Sequence, residues 1–293
     1  MEVPLNGFNV KGKLKSTAAA FLLGIMLVSS VSAQQNYLAD RNRQPAATNL
    51  TSAPLTETEL RAMFRYVPIK HSDDVNVQFY LTTALALAAG FDRDAAESVG
   101  LYNQYVDDDP QTSPLKPFNF KARRNFHFTS ERRRTKLWQA FLNNPNTANL
   151  AVFLHAKQDS YFHHGYNYVF GHMFKGVRPD QTWQPENAAK TERAAQITFE
   201  KLLEAALLLR TRERPLSYRD IEAQALQFLH AADDASRGIE FARLIERITA
   251  LRGGQAGDLR VSLREIHQAI ERYTYSPLDW QDNLAQLAVR NNK

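Results

Sequence analysis

One short segment, residues 154–165, concentrates the side chains best suited to metal chemistry. It reads LHAKQDSYFHHG and spaces His155, Asp159 and His163 four residues apart. On an α-helix each four-residue step turns the chain by about 400°, so the three side chains form one stripe. Imidazole nitrogens and a carboxylate oxygen are a ligand set that zinc accepts. The spacing therefore predicts a metal site on one face of a helix.

The competing interpretation of this stripe is a row of polar side chains capped by water. Four of the eight histidines fall between residues 155 and 172, and this clustering favours a site. His164 points about 180° away from His155 on a continuous helix, so it is left out of the ligand set. His230 and Asp234 repeat the spacing without companions, which is typical of a surface pair.

Further ligand types are scattered around the stripe. Helix ends and adjoining loops can converge on one spot, which is how a helical bundle builds a metal site. Two of these groups have structural alternatives: a packing role for His127 between two phenylalanines, and a solvated helix end for the acidic run 107–109. The candidates outside the stripe are His71, Asp107, Asp108, Asp109, His127, His172 and Asp180.

The first 33 residues predict a cleaved secretory signal. They contain a basic segment at 11–15, an apolar run at 18–28 and small residues at Val31-Ser32-Ala33. The apolar run is short for a membrane span, although an anchor or a buried N-terminal helix is the alternative. We therefore expect an exported protein, periplasmic or extracellular, whose mature chain begins at Gln34.

Composition limits the class of protein further. The chain has no cysteine, so an exported fold must rely on its core and not on disulfides. The net charge of +5 includes three signal lysines, and the remainder is too small to coat nucleic acid. After the signal no apolar run is long enough for a transmembrane helix. Residues 34–55 are expected to form a disordered linker, followed by one domain over residues 56–293.

Helical periodicity runs from Thr56 nearly to the end of the chain, and no alternating strand pattern competes with it. The sequence therefore predicts an all-α, multi-helix bundle. Prolines at 110, 114 and 117 predict an extended or looped stretch before His127, and residues 165–185 predict a Gly/Pro-rich loop over the stripe helix. Residues 56–185 form the metal-site half and residues 186–293 a helical C-terminal half. The expected helices cover 74–89, 91–105, 130–141, 147–163, 186–210, 217–231, 239–251, 261–273 and 278–289.

Three motifs give the chain a resemblance to a known superfamily. They read ALALAAGF at 84–91, QYVDD at 104–108 and LHAKQDSYFHHG at 154–165. Together they resemble the zinc-dependent phospholipase C and single-strand nuclease superfamily, and in particular its uncharacterised bacterial relatives. The resemblance covers roughly residues 71 to 185, and its last motif is the most specific.

The resemblance implies a zinc site and a reaction. It implies one to three zinc ions that activate water and hold a phosphoester substrate, either a phospholipid or a nucleic acid. It also implies that Asp107 is a carboxylate bridging two metals and acting in catalysis. The implied zinc ligands are His155, Asp159, His163, Asp107, His127 and His172, with Asp180 and His71 as weaker candidates.

Two features depart from the superfamily pattern. Its well-known enzymes begin with a tryptophan whose amino terminus binds zinc, whereas this mature chain would begin at Gln34. Gln78 also stands where relatives often place a histidine. Both differences bear on the number of ions, so a site of one or two zinc ions is as compatible with the sequence as one of three.

The sequence thus leads to an expected function with two alternatives. The expectation is an exported zinc-dependent hydrolase of phosphoester bonds. A basic segment at 121–134 would then attract phosphate, unless it is an ordinary solvated helix face. The alternatives are a non-catalytic helical protein stabilised by metal, and a partner-binding module that uses residues 186–293.

Overall fold

Apolar side chains at helical spacing organise the chain into α-helices. The computed structural model describes residues 76–109, 111–114, 118–171, 175–176, 178–211 and 213–253. Within these ranges there is no β-strand, only an isolated bridge between Asn167 and Gly171, so the all-α prediction is confirmed. The helices are α1 (Thr82–Ala88), α2 (Arg93–Asp108), α3 (Phe120–Ala122), α4 (Glu131–Asn143), α5 (Thr147–Phe162), α6 (Ala188–Leu209), α7 (Tyr218–His230) and α8 (Asp234–Leu251).

Two π-helical segments interrupt the regular pattern. The first π segment, Asn76–Leu81, runs directly into α1, and the second, Arg123–His127, follows α3. Such segments are rare and are often found at functional sites. A 3₁₀ turn at Arg178–Asp180 lies in the loop between α5 and α6.

Several expectations fall outside the described residues. These are the signal sequence and its cleavage point, the linker 34–55, the helical start at Thr56 and the helices at 261–273 and 278–289. His71 and His172 also lie outside the described residues.

Side-chain caps fix where three of the helices begin, as their sequences indicate. Asp92 accepts a hydrogen bond from the Ala95 amide at the start of α2, and Ser130 accepts one from Arg133 at the start of α4. Asn146 accepts one from Asn149, 2.8 Å long, at the start of α5. Such caps satisfy amides that have no partner inside the helix.

Helix α5 lies at the centre of the bundle. It packs against α2, α4 and α6, and most of its side chains are buried. The first π segment and α1 are likewise buried on nearly all sides, which agrees with their predicted central position, and Gly90 ends this stretch with a φ of +105°. Helices α7 and α8 pack against each other, and the helices belong to one compact unit. None of the described helices has the length and apolarity needed to cross a bilayer.

The stretch before His127 differs from the prediction of an extended or looped backbone. Asn119 caps α3 by accepting a hydrogen bond from Ala122, and the helical turn continues through the second π segment. That segment closes with a 2.7 Å bond from the Phe128 amide to the Arg123 carbonyl, which is five residues back. The three prolines all precede Asn119. They therefore do not restrain the backbone from Asn119 to His127, which can form helical turns.

Candidate metal centre

The predicted stripe is present at the C-terminal end of α5. His155 is fully buried and Asp159 is 3% exposed. The His155 Nε2 atom lies 3.4 Å from the Asp159 Oδ2 atom, so the two side chains are neighbours facing the interior. His163 is the residue that caps α5, and its Nδ1 atom lies 3.5 Å from the same oxygen. The predicted geometry of the stripe is therefore confirmed.

His127 joins this group from the second π segment. Its Nδ1 atom lies 3.0 Å from Asp159 Oδ2 and 3.0 Å from His155 Nε2. Asp107, near the end of α2, places its Oδ1 atom 3.4 Å from His127 Nδ1 and 3.8 Å from His155 Nε2. Three separate elements thus bring two imidazoles and two carboxylates to one point.

Backbone carbonyls determine which ring nitrogens face the centre of the group. His155 Nδ1 lies 3.0 Å from the Asn103 carbonyl oxygen, and His127 Nε2 lies 2.8 Å from that of Thr112. A carbonyl can only accept, so each of these nitrogens must carry the proton. In a neutral imidazole the opposite nitrogen then bears a lone pair. Those two lone pairs point at each other and at the carboxylates.

This group could hold a metal ion. The ligand atoms of Asp107, His127 and His155 all lie within 4.8 Å of one another. The Asp159 carboxylate is buried and that of Asp107 is partly buried, and both lie within 3.4 Å of His127 Nδ1, so a cation at this point would be attracted by both. A histidine that donates its other N–H to a carbonyl is the usual arrangement around a protein-bound metal.

The pKa shifts follow from burial and from charge in the group. Burial lowers the pKa of His127, although the hydrogen bond that a protonated ring makes with Asp159 acts in the opposite direction. The lowered pKa favours the neutral ring that a metal requires. Burial acts to raise the pKa of Asp159, but protonated imidazoles at His155, His163 and His127 outweigh it when the site holds protons instead of a metal. The result is a pKa below the usual range, and a bound cation would stabilise the carboxylate in the same way.

Two more side chains hold the ligands in place. Gln78, in the first π segment, donates a hydrogen bond of 3.3 Å from Nε2 to Asp159 Oδ1, which leaves Oδ2 facing the imidazoles. Asp180, in the 3₁₀ turn, has Oδ1 3.3 Å from His163 Nε2. The carboxylate of Asp180, predicted as a weaker metal ligand, thus contacts the outer nitrogen of His163. Sequence reasoning did not predict Gln78 as a site residue.

A buried network of amides and hydroxyls braces the helices behind the site. Asn103 Nδ2 donates to Gln158 Oε1 at 2.9 Å and to Thr82 Oγ1 at 3.2 Å. Gln158 Nε2 donates in turn to the hydroxyls of Thr82 and Thr198. The network links α1, α2, α5 and α6, and its member Asn103 also supplies the carbonyl that fixes His155.

Other predicted polar residues lie away from the cluster. His164 and His230 are exposed, in agreement with their exclusion from the ligand set. Asp109 is buried and accepts a 2.6 Å hydrogen bond from the Gln111 amide, so it closes the turn after α2 and is not a solvated helix end.

The basic segment 121–134 is neither wholly a solvated helix face nor wholly a set of exposed cations that could attract phosphate. Arg123 and Arg133 are half-buried and lie over the rings of Phe128 and Phe126, at 5.3 and 5.6 Å. Burial lowers the pKa of Arg133 to about 10. Exposed basic side chains are still present on this segment, at Lys121, Arg124 and Arg132.

Comparison of the chain with protein-family models, curated proteins and solved structures finds no match.

Proposed function

We propose that this chain is an exported zinc-dependent hydrolase of phosphoester bonds, acting on a phospholipid or a nucleic acid. The observation that carries the proposal is the convergence of His127 and His155 on Asp159, with both imidazole lone pairs directed inward by backbone carbonyls. Export is proposed from the signal-like residues 1–33 alone. The phosphoester substrate is proposed from the superfamily resemblance together with this site.

The distances within the group support zinc as the metal. Tetrahedral zinc with bonds of about 2.0–2.1 Å has its ligand atoms about 3.3 Å apart. Five distances join His127 Nδ1 and His155 Nε2 to each other and to the Asp107 and Asp159 oxygens, and they span 3.0 to 3.8 Å. Two imidazoles and two carboxylates also match the nitrogen and oxygen ligands that zinc takes in a chain without cysteine. His163 is the candidate for a further ligand beside Asp159.

The accessible edge of the group supports catalysis. The side chains of Asp107 and His163 are 14% and 12% exposed, whereas those of His127 and His155 are almost completely enclosed. A substrate would therefore approach on the side of Asp107 and His163. Zinc held there by three of the four side chains would keep one position open, where it would polarise phosphoryl oxygens and promote the ionisation of water. Asp107 would orient that water and accept its proton.

Burial favours one alternative, a metal with a purely structural role. Structural zinc sites are closed, whereas catalytic sites keep an open position for water or substrate. His127, His155 and Asp159 are almost completely enclosed, and they connect α5 to the second π segment. A metal at this point would stabilise the bundle even if no reaction took place.

Chelation and metal restoration on the full chain distinguish the two functions. We expect phosphodiester hydrolysis to disappear on chelation and return with zinc, while the helical circular dichroism is retained. Asp159→Asn should abolish both zinc binding and hydrolysis, because it keeps the volume but removes a charge that balances the cation. His230→Ala is the matched control, since that histidine is exposed and outside the cluster.

Two outcomes would decide against the enzyme. Full hydrolysis by Asp159→Asn would show that the site is misplaced. Unfolding on chelation, with no hydrolysis of any phosphodiester by the zinc-loaded chain, would establish the structural metal instead.

A further inference from the structure

Helix α5 carries a second polar stripe on the face opposite its metal ligands. Lys157, Ser160 and Tyr161 form it at steps of three and one residues, and His164 follows just beyond the end of the helix. At 100° per residue the mean direction of the three helical residues lies roughly 150° from that of the ligand stripe. His164 is a histidine that the metal site does not use.

A cleft of about 290 Å³ lies against this second stripe. Arg134 from α4 and Lys190 from α6 complete its lining, so that three helices contribute cationic side chains to one concave surface. The lining contains three permanent cations, and none of its described residues is a carboxylate. We propose that this cleft binds a small organic ligand through a phosphate group.

The charges around Lys157 explain why the ligand should be anionic. Arg134 is paired with Glu131 at 2.5 Å, whereas Lys157 and Lys190 have no ion-pair partner among the described residues. Like charges held together in a partly buried cleft favour an anion that can neutralise them.

The lysines that line the cleft have N–H hydrogens that are free to donate to a ligand. Lys190 Nζ makes a 3.2 Å hydrogen bond to Asn187 Oδ1, and an ammonium group has three hydrogens to donate. Lys157 Nζ lies 5.5 Å above the ring of Tyr161, a cation–π contact that places the ammonium beside the cleft without using its hydrogens in a strong bond. Arg134 is already engaged, because its Nη1 atom donates to Thr129 and its Nη2 atom to Glu131, so the two lysines are the main donors for a ligand.

The number of cations and the size of the cleft favour a phosphate group over a single carboxylate. A phosphate monoester carries about −1.5 to −2 charges at neutral pH and accepts several hydrogen bonds through its oxygens. Lysine and arginine are the residues that proteins use to bind it. The cleft is larger than an inorganic phosphate needs, and the Tyr161 ring provides a wall for the organic part of the ligand.

Calorimetric titration of the chelator-treated full chain with inorganic phosphate tests this site without any contribution from bound metal. We expect saturable binding of one phosphate per chain, weakened about tenfold by Lys157→Gln because a charge-assisted hydrogen bond is lost. Lys136→Gln is the matched control, since it removes the same charge from an exposed position on α4. It should leave phosphate binding unchanged.

Three results would overturn the proposal. The first is the absence of saturable phosphate binding, and the second is equal weakening by Lys157→Gln and Lys136→Gln, which indicates only a general charge effect. The third is acetate binding as tightly as phosphate, which indicates a carboxylate site. If Lys157→Gln fails to fold, Lys190→Gln removes a second lining cation and should produce the same loss.

Discussion

The Nε2 atom of His155 lies 3.0 Å from the Nδ1 atom of His127, while the other nitrogen of each ring meets a backbone carbonyl oxygen. Two lone pairs at this distance repel each other unless positive charge lies between or beside them. The folded chain thus holds two imidazoles in an arrangement that a proton or a metal ion must stabilise. The proposed metal site follows from this relationship.

Zinc should therefore stabilise the folded chain. A ligand that binds only the native state, at a free concentration 100 times its dissociation constant, adds about 2.7 kcal/mol to the free energy of unfolding. We expect urea denaturation of the chelated protein to show an increase of this size when zinc is restored. The Asp159→Asn variant should show little of this increase in the free energy of unfolding. Identical denaturation midpoints with and without zinc would contradict a native metal site.

Gln78 should support the metal through Asp159. Its amide donates to Asp159 Oδ1, so Gln78→Leu removes the bond that holds the carboxylate while keeping a side chain of similar size. Loss of such an outer partner typically lowers metal affinity by about 10- to 100-fold. Competition with a zinc indicator measures this change. Gln227→Leu, at an exposed position on α7, is the control, and equal affinities for the two variants would exclude the role of Gln78.

Replacing Gln158 should lower the free energy of unfolding but leave the number of bound zinc ions per chain unchanged. Gln158→Leu leaves the Asn103 amide and two buried hydroxyls short of partners. An unsatisfied buried polar group costs about 1–3 kcal/mol. We expect a loss of at least about 2 kcal/mol in the free energy of unfolding, with the zinc content per folded chain unchanged. A stability equal to that of the exposed control Gln139→Leu would show that the network contributes nothing.

Gly100 should tolerate no side chain, even though it lies inside α2. A Cβ atom there would lie 2.2 Å from Thr83 Oγ1 and 2.9 Å from the Phe79 carbonyl oxygen. Helix propensity alone makes Gly→Ala favourable by about 1 kcal/mol, whereas overpacking a core costs about 1–3 kcal/mol. We expect Gly100→Ala to destabilise the chain in thermal unfolding, because the obstructing carbonyl cannot move away alone. A higher melting temperature would refute this close packing of α2.

The ligand stripe could be predicted because it depends on one helix alone. A four-residue spacing places His155 and Asp159 together wherever the backbone is helical, and Asn146 specifies where that helix begins. The burial of the stripe also followed from the apolar residues around it on α5. Fold class was predictable for the same reason, since apolar periodicity is a local property of each segment.

The remaining site contacts depend on packing between distant segments. The second π segment turns His127 towards α5. The proline-rich sequence before this segment has no periodic pattern that indicates a π-helical turn. The Asn103 and Thr112 carbonyls carry no side-chain signature at all. Two signals were available for Gln78: it is a glutamine within an apolar helix, and it stands where relatives of the resembled superfamily often place a histidine. Its partner Asp159 nevertheless lies 81 residues away.

X-ray absorption at the zinc edge measures the proposed coordination itself. We expect the purified zinc-loaded chain to show a first shell of nitrogen and oxygen atoms at about 2.0–2.1 Å, with scattering from at least two imidazoles. His155→Ala should lower the imidazole contribution or the metal content, whereas His230→Ala should preserve both. A wild-type chain that retains no zinc after dialysis, or whose spectrum shows only water-like oxygen ligands, would contradict this coordination.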